Sequence, residues 1–292
     1  MKVLFTGGGT GGHFYPIVAV ARELQDILRQ EHILDATLYY AGPDDFGHDI
    51  LKKDNIEPIT IISGKWRRYA SLQNFLDIVK IFIGTIKAFF ILFSIMPDVI
   101  FSKGGYGSIP AAIVAFFYQI PLMIHESDSR PGLVNRLTAV FADRVAVSFQ
   151  SSLQYFPKKN KVALLGNPIR KNILGGSRDL AEEEFSIFTR RPVLLVMGGS
   201  QGSQMMNRAL LGALRELSKQ YEIIHQTGKE NFEDVRGEAS VILTKEEGAS
   251  YHPIAYFDDR ALRSAYAIAD IIISRAGAAS IFEIAAIGTP AI

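Results

Sequence analysis

The stretch VLFTGGGTGG, residues 3–12, and the stretch LLVMGGSQGS, residues 194–203, share one pattern. Each is an apolar run of strand length that leads directly into glycines. The glycines align as Gly7 on Gly198, Gly8 on Gly199 and Gly11 on Gly202. A strand, a glycine loop and a helix open a nucleotide-binding α/β domain. We therefore predict two similar Rossmann-like domains; one long sheet with a chance glycine pair is the alternative.

Short apolar runs alternate with helical stretches along the chain, which predicts parallel strands with helices on both faces. The predicted strands are Val3–Thr6, Thr37–Ala41, Val99–Ser102, Leu122–His125, Arg144–Ser148, Val162–Leu164, Val193–Met197, Glu222–Gln226 and Ile271–Ser274. The predicted helices include Tyr15–Gln30, Leu133–Phe141, Asn207–Lys219 and Ala279–Ala286. Turn residues interrupt the pattern in Leu165–Arg191, so we divide the chain into domains 1–165 and 166–292. Ligands bind at the carboxyl ends of such strands, which predicts a cleft with a glycine loop on each wall.

The bulk composition narrows the function classes. A chain of 292 residues is long enough for two α/β domains, and its formal net charge of +1 argues against nucleic acid as a general partner. The chain contains no cysteine, which excludes disulfides, thiolate zinc sites and cysteine nucleophiles. We find no signal-peptide pattern at the N-terminus and expect a cytoplasmic location.

The first glycine loop, Gly7–Gly12, formally satisfies the G-x-G-x-x-G pattern of dinucleotide sites. The second predicted strand ends in Tyr39-Tyr40-Ala41-Gly42, without the acidic residue that would bind an adenosine ribose. A P-loop is excluded because no G-K-[ST] follows either glycine run. Backbone N–H groups at a helix N-terminus nevertheless form a site for phosphate, so we predict an anion site and no resident cofactor.

His13 follows this loop in the first turn of the predicted helix. The positive helix end disfavours imidazolium and leaves a neutral ring that can accept a proton. The alternative is a histidine that only packs or caps there.

Two further segments end predicted strands with polar or glycine residues. SKGGYGS, residues 102–108, is either a second donor surface for a pyrophosphate or a tight turn. His125-Glu126-Ser127-Asp128 ends the next strand, and Asn135 follows in the next element. A His–Glu pair can suggest a metal, but no third ligand stands at metal spacing, so no metal site is predicted.

The segment from Ser274 to Glu283 reads as a strand, a small-residue turn and a helix start. We expect Glu283 in the first helical turn, where a carboxylate can accept both hydroxyls of a ribose. Alternatively, Glu283 only complements the helix dipole.

The stretch Phe75–Met96 is nearly all apolar and reaches the length of a membrane span. Asp77, Lys80 and Lys87 lie inside it, and a central lysine costs roughly 2.5–3.5 kcal/mol on insertion. At 100° per residue, one narrow stripe contains Gln73, Asp77, Lys80, Gly84 and Lys87, which predicts a helix with a polar edge and not a span.

Lys65-Trp66-Arg67-Arg68-Tyr69 precedes that helix and contains the only tryptophan of the chain. Cations beside aromatic rings suit an anionic bilayer interface. We predict a peripheral membrane patch of Trp66, Arg67, Arg68, Lys80 and Lys87. The alternative is a buried helix with a solvated basic loop.

Taken together, these segments resemble the MurG family, the N-acetylglucosaminyltransferases of peptidoglycan synthesis. The matching blocks are GGGTGGHFYP at 7–16, SKGGYGS at 102–108, HESDSRPGLVNR at 125–136, GNPIR at 166–170, GGSQGSQMMN at 198–207, FDD at 257–259 and SRAGAASIFEIAAIGTPAI at 274–292. They lie in family order along the whole chain.

This resemblance implies the GT-B fold, in which two Rossmann-like domains face each other across a cleft. It also implies an inverting, metal-independent transfer of N-acetylglucosamine from UDP-N-acetylglucosamine to lipid I, giving lipid II. The first domain would bind the acceptor and the inner face of the cytoplasmic membrane, as a peripheral protein. The second would bind the UDP-sugar.

The resemblance also carries roles to individual residues. His13 would be the base for the muramoyl 4-hydroxyl. The expected sugar or acceptor contacts are Thr10, Gly11, Gly12, Asp128 and Asn135, with Gly104, Gly105 and Tyr106 near the acceptor pyrophosphate. The expected donor contacts are Arg170, Ser200 and Gln201 at the diphosphate, the backbone of Phe257 at the uracil, Ala278 and Ser280 in the small-residue turn, and Glu283 at the ribose.

The chain departs from the family pattern in two places. His-Glu-Ser-Asp stands where many members have His-Glu-Gln-Asn, so Asp128 can contact a sugar only as an acceptor. The chain ends at Thr289-Pro290-Ala291-Ile292, where the family continues, so we expect an incomplete C-terminal domain. Two alternatives stay open. One is a related GT-B enzyme, a glycolipid synthase or a UDP-sugar epimerase; the other is an inactive remnant that binds only nucleotide or membrane.

Overall fold

The structure is a computed structural model that describes residues 1–8, 11–33, 35–64, 72–156, 161–199 and 202–292, with the backbone alone for residues 72–74. The chain forms two compact units, Met1–Ile169 and Arg170–Ile292. The boundary predicted between residues 165 and 166 lies close to this division.

The first unit is built on a parallel sheet of seven strands in the order β3-β2-β1-β4-β5-β6-β7. The strands are β1 Lys2–Thr6, β2 Thr37–Gly42, β3 Ile56–Thr60, β4 Val99–Ser102, β5 Leu122–Glu126, β6 Arg144–Val147 and β7 Val162–Leu164. The helices are α1 Gly11–Gln30, α2 His48–Lys53, α3 Leu72–Ile95, α4 Ile109–Tyr118 and α5 Leu133–Thr138.

The second unit has a parallel sheet of four strands in the order β10-β9-β8-β11. The strands are β8 Val193–Met197, β9 Glu222–Gln226, β10 Tyr251–Ile254 and β11 Ile271–Ser274. The helices are α6 Arg178–Phe185, α7 Gln204–Leu217, α8 Phe232–Ile242, α9 Lys245–Gly248, α10 Asp259–Ile268 and α11 Ala278–Ile287.

Four strands of the first sheet, β3-β2-β1-β4, have the same topology as the whole second sheet, β10-β9-β8-β11. In each sheet the first strand of the unit lies beside the strand at which the order reverses, β4 or β11. The glycine loops follow β1 and β8, each at the carboxyl end of its strand, which is the usual position of a ligand site in an open α/β sheet. The two Rossmann-like units predicted from the repeat are therefore confirmed.

Each sheet is covered on both faces, as the continuous apolar strands predict. In the first unit, Leu4 packs with α3 and α4 on one face, whereas Val3 and Phe5 pack with α1 on the other. In the second unit, Leu195 belongs to one core and Leu194 to the opposite one. Alternate residues of one strand thus anchor different helical layers, which holds the strand ends in place.

Two strands were missed by the sequence analysis, and both contain proline. Pro58 lies in β3 and Pro253 in β10, and each strand is the outermost of its sheet. Proline cannot donate a ladder hydrogen bond, so it is confined to such edges. A proline therefore hides an edge strand from a search for apolar runs.

Helix α3 is the one helix in the described part of the chain that is long and apolar enough to cross a bilayer, by length and composition alone. One narrow face packs into the first unit, where Ala88 and Leu92 are fully buried. The polar stripe predicted for this helix lies partly on that face, since Asp77 is buried and Gly84 packs against the backbone of Ile62. The outward face is apolar.

Candidate active site

The glycine loop after β1 meets the turn after β4 inside the first unit. A Cβ atom on Gly8 would lie 3.1 Å from Gly105 Cα, and one on Gly105 would lie 3.1 Å from Gly8 Cα. Gly105 has φ 80° and ψ 167°, a conformation that is essentially restricted to glycine. The two glycine segments found in the sequence therefore form one backbone surface at the carboxyl edge of the sheet.

His13 lies in the first turn of α1, beside this surface. Its Nδ1 is 3.2 Å from the carbonyl oxygen of Lys103, which can only accept, so Nδ1 carries the proton and donates. The Nε2 lone pair is then free, and a Cβ on Gly105 would lie 3.4 Å from that atom. Burial, reinforced by the nearby charge of Lys103, lowers the pKa of His13. The ring is neutral at pH 7, as the sequence analysis expected, although burial and Lys103 are the causes here.

Lys103, at the start of the same turn, is fully buried. Its Nζ donates to His125 Nδ1 at 2.7 Å, to Asn167 Oδ1 at 3.2 Å and to Ser127 Oγ. His125 Nε2 in turn donates to the carbonyl of Gly166 at 2.9 Å, which fixes the tautomer that leaves Nδ1 as an acceptor. We call Lys103, His125, Ser127 and Asn167 the Lys103 cluster.

Burial lowers the pKa of Lys103 to about 7, although the carboxylates of Glu126 and Asp128 oppose the shift. Burial and the charge of Lys103 lower the pKa of His125 to about 3, so His125 is neutral throughout the physiological range. Lys103, within the SKGG segment, was not among the predicted site residues. A lysine directly after a buried strand and before two glycines was the available signal.

Glu126 organises the loop after β5. Its carboxylate accepts from the backbone N–H groups of Asp128 at 2.9 Å and Gly132 at 3.0 Å, and from Asn135 Nδ2 at 3.0 Å. Asn135 is buried, and its Oδ1 has no hydrogen-bond partner among the described residues. Asp128 is exposed, beside this loop. The predicted ligand contacts of Asn135 and Asp128 stay predictions.

The second glycine loop leaves β8 in the same way. Gly199 and Gly202 have φ values of 87° and 75°, and Gly202 packs against the carbonyl of Thr227. Gln226 Nε2 donates to the Gly199 carbonyl at 3.2 Å. Ser200 and Gln201 lie outside the described residues, as do Thr10, Trp66, Arg67 and Arg68.

A buried charge cluster lies elsewhere in the second unit. Arg170 donates through Nε and Nη2 to Glu283 Oε1, at 3.1 and 3.0 Å, and through Nη1 to Asp259 Oδ1 at 2.8 Å. Tyr266 donates to the other Glu283 oxygen at 3.3 Å. Burial raises the pKa of Glu283, and Arg170 opposes that rise.

These positions refine the expectations for the donor half. The prediction that Glu283 lies in the first turn of its helix is wrong, because α11 begins at Ala278. Glu283 instead lies one turn further along the helix and binds Arg170, so it does not complement the positive end of the helix dipole. Sequence reasoning missed Asp259 and Tyr266, which reach this cluster only through the fold.

The remaining predicted contacts lie near the ends of the strands. The side chain of Phe257 is buried in a core beside Phe185, which leaves only its backbone for a ligand. Ala278 and Ser280 begin α11 and are half-buried. Gly11 is buried and Gly12 is exposed at the start of α1. Within the described ranges no group of three histidine, aspartate or glutamate side chains could hold a metal ion.

Comparison with known protein families decides the assignment. The glycosyltransferase family 28 N-terminal domain matches residues 3–147, and the family 28 C-terminal domain matches residues 193–292. The chain belongs to the MurG family of glycosyltransferases. It is 40% identical to the UDP-N-acetylglucosamine–N-acetylmuramyl-(pentapeptide) pyrophosphoryl-undecaprenol N-acetylglucosamine transferase of Clostridium botulinum, covering 99% of this chain and 76% of that protein. The protein of the same name from Legionella pneumophila is 37% identical, with 99% and 75% covered.

Solved structures agree with this MurG assignment. MurG of Acinetobacter baumannii superposes with a TM-score of 0.67 at 25% identity, covering 99% of this chain and 77% of that one. A UDP-GlcNAc 2-epimerase of Neisseria meningitidis, bound to UDP-GlcNAc, superposes with a TM-score of 0.67 at 17% identity, with 100% and 82% covered. At that identity the epimerase shows a shared GT-B fold only.

Proposed function

We propose that this MurG-family chain transfers N-acetylglucosamine from UDP-N-acetylglucosamine to the 4-hydroxyl of the muramoyl sugar in lipid I, giving lipid II. The observation that carries the proposal is the identity of 35–40% over 98–99% of the chain to relatives named for this transfer. The reaction is a single displacement, in which the acceptor hydroxyl attacks the anomeric carbon as UDP leaves. The configuration at that carbon is therefore inverted.

His13 is the proposed general base. Its Nδ1 proton is directed to the Lys103 carbonyl, and its Nε2 faces the glycine turn at Gly105. A neutral Nε2 beside that turn can take the proton of an acceptor hydroxyl whose pyrophosphate rests on Gly104, Gly105 and Tyr106. Such a base contributes roughly 10²- to 10⁴-fold to the rate.

The second unit is the proposed donor site. Glu283 binds the ribose hydroxyls, the backbone at Phe257 binds the uracil, and Ala278 and Ser280 leave room for the nucleotide. Ser200, Gln201 and the backbone N–H groups at the N-terminus of α7 are the proposed contacts of the diphosphate, and such N–H groups stabilise the charge that develops on the leaving group. Arg170 fixes the Glu283 carboxylate through the hydrogen bonds described above.

A transfer assay tests this proposal directly. Purified protein is incubated with radiolabelled UDP-N-acetylglucosamine and a short-chain lipid I analogue, and the expected product is the disaccharide lipid. Transfer to diacylglycerol would indicate a glycolipid synthase, and UDP binding without turnover would indicate an inactive relative. Either result contradicts the proposal.

His13→Ala tests the base. We expect kcat to fall by roughly 10²- to 10⁴-fold with little change in the KM for the donor. His32→Asn is the matched control, because His32 is exposed on a loop with a positive φ that asparagine tolerates. An unchanged kcat in His13→Ala removes His13 from this role.

We also propose that the first unit binds the cytoplasmic face of the membrane as a peripheral protein. The outward face of α3 exposes Phe75, Phe82, Phe90 and Phe93, each about two-thirds accessible. Ring contacts continue this surface onto the end of α4, since Phe89 lies 4.7 Å from Tyr118 between centroids. Monomeric soluble proteins rarely expose contiguous apolar patches of this kind without an interaction partner.

The charges around this patch suit anionic lipid. Lys80 is exposed and only loosely paired with Asp77, at 3.7 Å, and Lys87 is exposed at the edge of the helix, where its Nζ donates to the Thr60 carbonyl. Trp66, Arg67 and Arg68, which precede the helix in sequence, are the other members of the predicted patch. A helix that carries buried Asp77 on one face and phenylalanines on the other rests at an interface more readily than it spans a bilayer.

Vesicle flotation with phosphatidylglycerol tests the patch. Burying one phenylalanine ring stabilises binding by about 1.5–3 kcal/mol, so Phe82→Ser with Phe90→Ser should weaken binding by 10²-fold or more. Phe188→Ser is the control, since Phe188 is 75% exposed but belongs to the second unit. Equal binding by the double variant and the control would place the membrane contact elsewhere.

A further inference from the structure

When Lys103 is protonated, the Lys103 cluster holds no countercharge for its ammonium group. An ammonium group has three protons, and here they go to His125, Ser127 and Asn167, all of them neutral acceptors. Among the residues that the structure describes, no carboxylate forms an ion pair with Lys103. Glu126 is engaged by backbone and amide donors, and Asp128 is exposed to solvent.

A buried charge without a direct partner is costly, because desolvation disfavours the charged form. The lowered pKa of Lys103 reflects that cost. A protein core gains nothing from such a lysine, since an apolar side chain would pack there at lower cost. An anion bound nearby would remove the cost.

Asn167 provides a second group that could bind an anionic oxygen. Asn167 is 8% exposed, and its Oδ1 accepts from Lys103, so its Nδ2 points away from the lysine. That nitrogen is a donor with no partner in the described structure. The residues that follow Lys103 are Gly104 and Gly105, whose φ values of 81° and 80° favour glycine; Gly104 is buried beside Asn135, and Gly105 is half-buried beside Gly8.

We infer that Lys103, with Asn167 beside it, supplies the positive charge that binds the diphosphate of the prenyl-linked acceptor at the Gly104–Gly105 turn. This inference rests on the proposed function for the choice of ligand. Because Lys103 is fully buried, it makes no contact with the reacting hydroxyl. It is a positioning residue, which acts on the diphosphate through the turn and through the cluster. Its loss should affect the binding of the acceptor and leave the donor untouched.

The test is direct binding of farnesyl diphosphate to the full chain by calorimetry, with saturating UDP to occupy the donor site. Lys103→Met and Lys103→Gln remove the charge, and both should weaken binding by roughly 10-fold, as one charge about 10 Å away does at an effective dielectric constant of about 20. Farnesol, which has no charge, should bind the variants and the parent alike. An equal loss for farnesol means that the variants have lost the shape of the site, which overturns the inference.

Two further variants separate charge from structure. Ser127→Ala removes a partner of Lys103 but keeps the ammonium, and should hold the affinity for farnesyl diphosphate within about 3-fold. Asp128→Asn is combined with Lys103→Met, because Lys103 could otherwise serve only to offset Asp128. Restoration of binding in that double variant would overturn the inference in favour of the offset.

Kinetics give the last arm. In the transfer assay, Lys103→Gln should raise the KM for the lipid I analogue by roughly 10-fold, with the KM for UDP-N-acetylglucosamine unchanged. If the parent transfers sugar and this variant has an unchanged acceptor KM, the inference fails and the proposed function stands. If the parent does not transfer sugar at all, the proposed function fails, and the binding comparison still decides the role of Lys103.

Discussion

Arg170→Met should be among the most damaging single substitutions in the second unit. The side chains of Arg170 and Glu283 are only 9% and 6% exposed, and Arg170 also binds Asp259. Methionine would fill much of the space but would remove the guanidinium that binds both carboxylates. Asp259 is 30% exposed and can turn to water, so Glu283 bears most of the loss.

Breaking a buried ion pair from one side costs about 3–5 kcal/mol. For a domain of this size, a loss of 1 kcal/mol lowers the melting temperature by roughly 4 °C, so the second unit should melt about 12–20 °C earlier. Arg178→Met is the control, since the pair of Arg178 with Asp270 is about 40% exposed and should contribute less than about 1 kcal/mol.

The pH dependence gives the reasoning a second check. Burial already raises the pKa of Glu283, and removing Arg170 removes the main opposing influence. The folded variant then binds a proton more tightly than the unfolded chain, whose Glu283 titrates near 4.5. Its stability therefore increases as the pH falls through the raised folded pKa toward 4.5, and the deficit should be smaller at pH 5 than at pH 8.

Urea denaturation at both pH values measures these effects, with Arg170→Met/Glu283→Gln as the double variant. The double variant should recover much of the lost free energy of unfolding, because it no longer buries an unpaired charge. A loss below 1 kcal/mol in Arg170→Met, or no recovery in the double variant, would refute this account of the cluster.

Two further changes test the fold around the sites. Gly105→Ala should lower the free energy of unfolding by about 1–3 kcal/mol because of its backbone conformation, and should lower turnover because its Cβ would press on Gly8. Denaturation and transfer assays measure both effects. The control is Gly132→Ala, whose Cβ meets nothing within 4 Å. Burial lowers the pKa of His225 to about 4. The contribution of the neutral ring to stability is therefore complete above pH 6.5 and is lost as the pH falls toward 4, because the unfolded chain binds the proton first. His225→Gln should reduce that acid-dependent loss by up to about 3 kcal/mol between pH 7 and pH 4. The same loss in parent and variant would show that His225 is not its source.

The fold was largely predictable because buried parallel strands are continuous apolar runs. Strands such as Val99–Ser102 and Val193–Met197 have the bounds that the sequence predicts, and the repeated glycine loops indicate the repeated topology. The edge strands with Pro58 and Pro253 escaped because proline interrupts the apolar run by which the other strands were found. Edge strands depend on pairing with an inner strand, which the local sequence does not encode.

The site was predictable only in part, for a related reason. Motif residues such as His13 stand next to a strand end in sequence, so topology alone brings them to the site. Packing decides the roles of Lys103, Asn167 and Asp259, because it brings them into contact with partners that are far away in sequence. The stripe on α3 shows the same limit: the sequence gives its period, but the fold decides that Asp77 turns inward and the phenylalanines outward.

The two glycine loops are equivalent in topology, but different chemical groups lie beside them. This difference bears on the proposed roles of the two units in the transfer reaction. The first loop lies beside His13 and Lys103, two groups whose pKa values burial brings toward or below neutrality. The second loop is supported by neutral groups, with Gln226 bound to the loop itself and His225 tied to Asn207 and Tyr251. A proton must be removed from the acceptor, whereas the leaving nucleotide needs only fixed dipoles to stabilise its charge. This contrast supports the proposal that the base belongs to the first unit and the leaving-group site to the second.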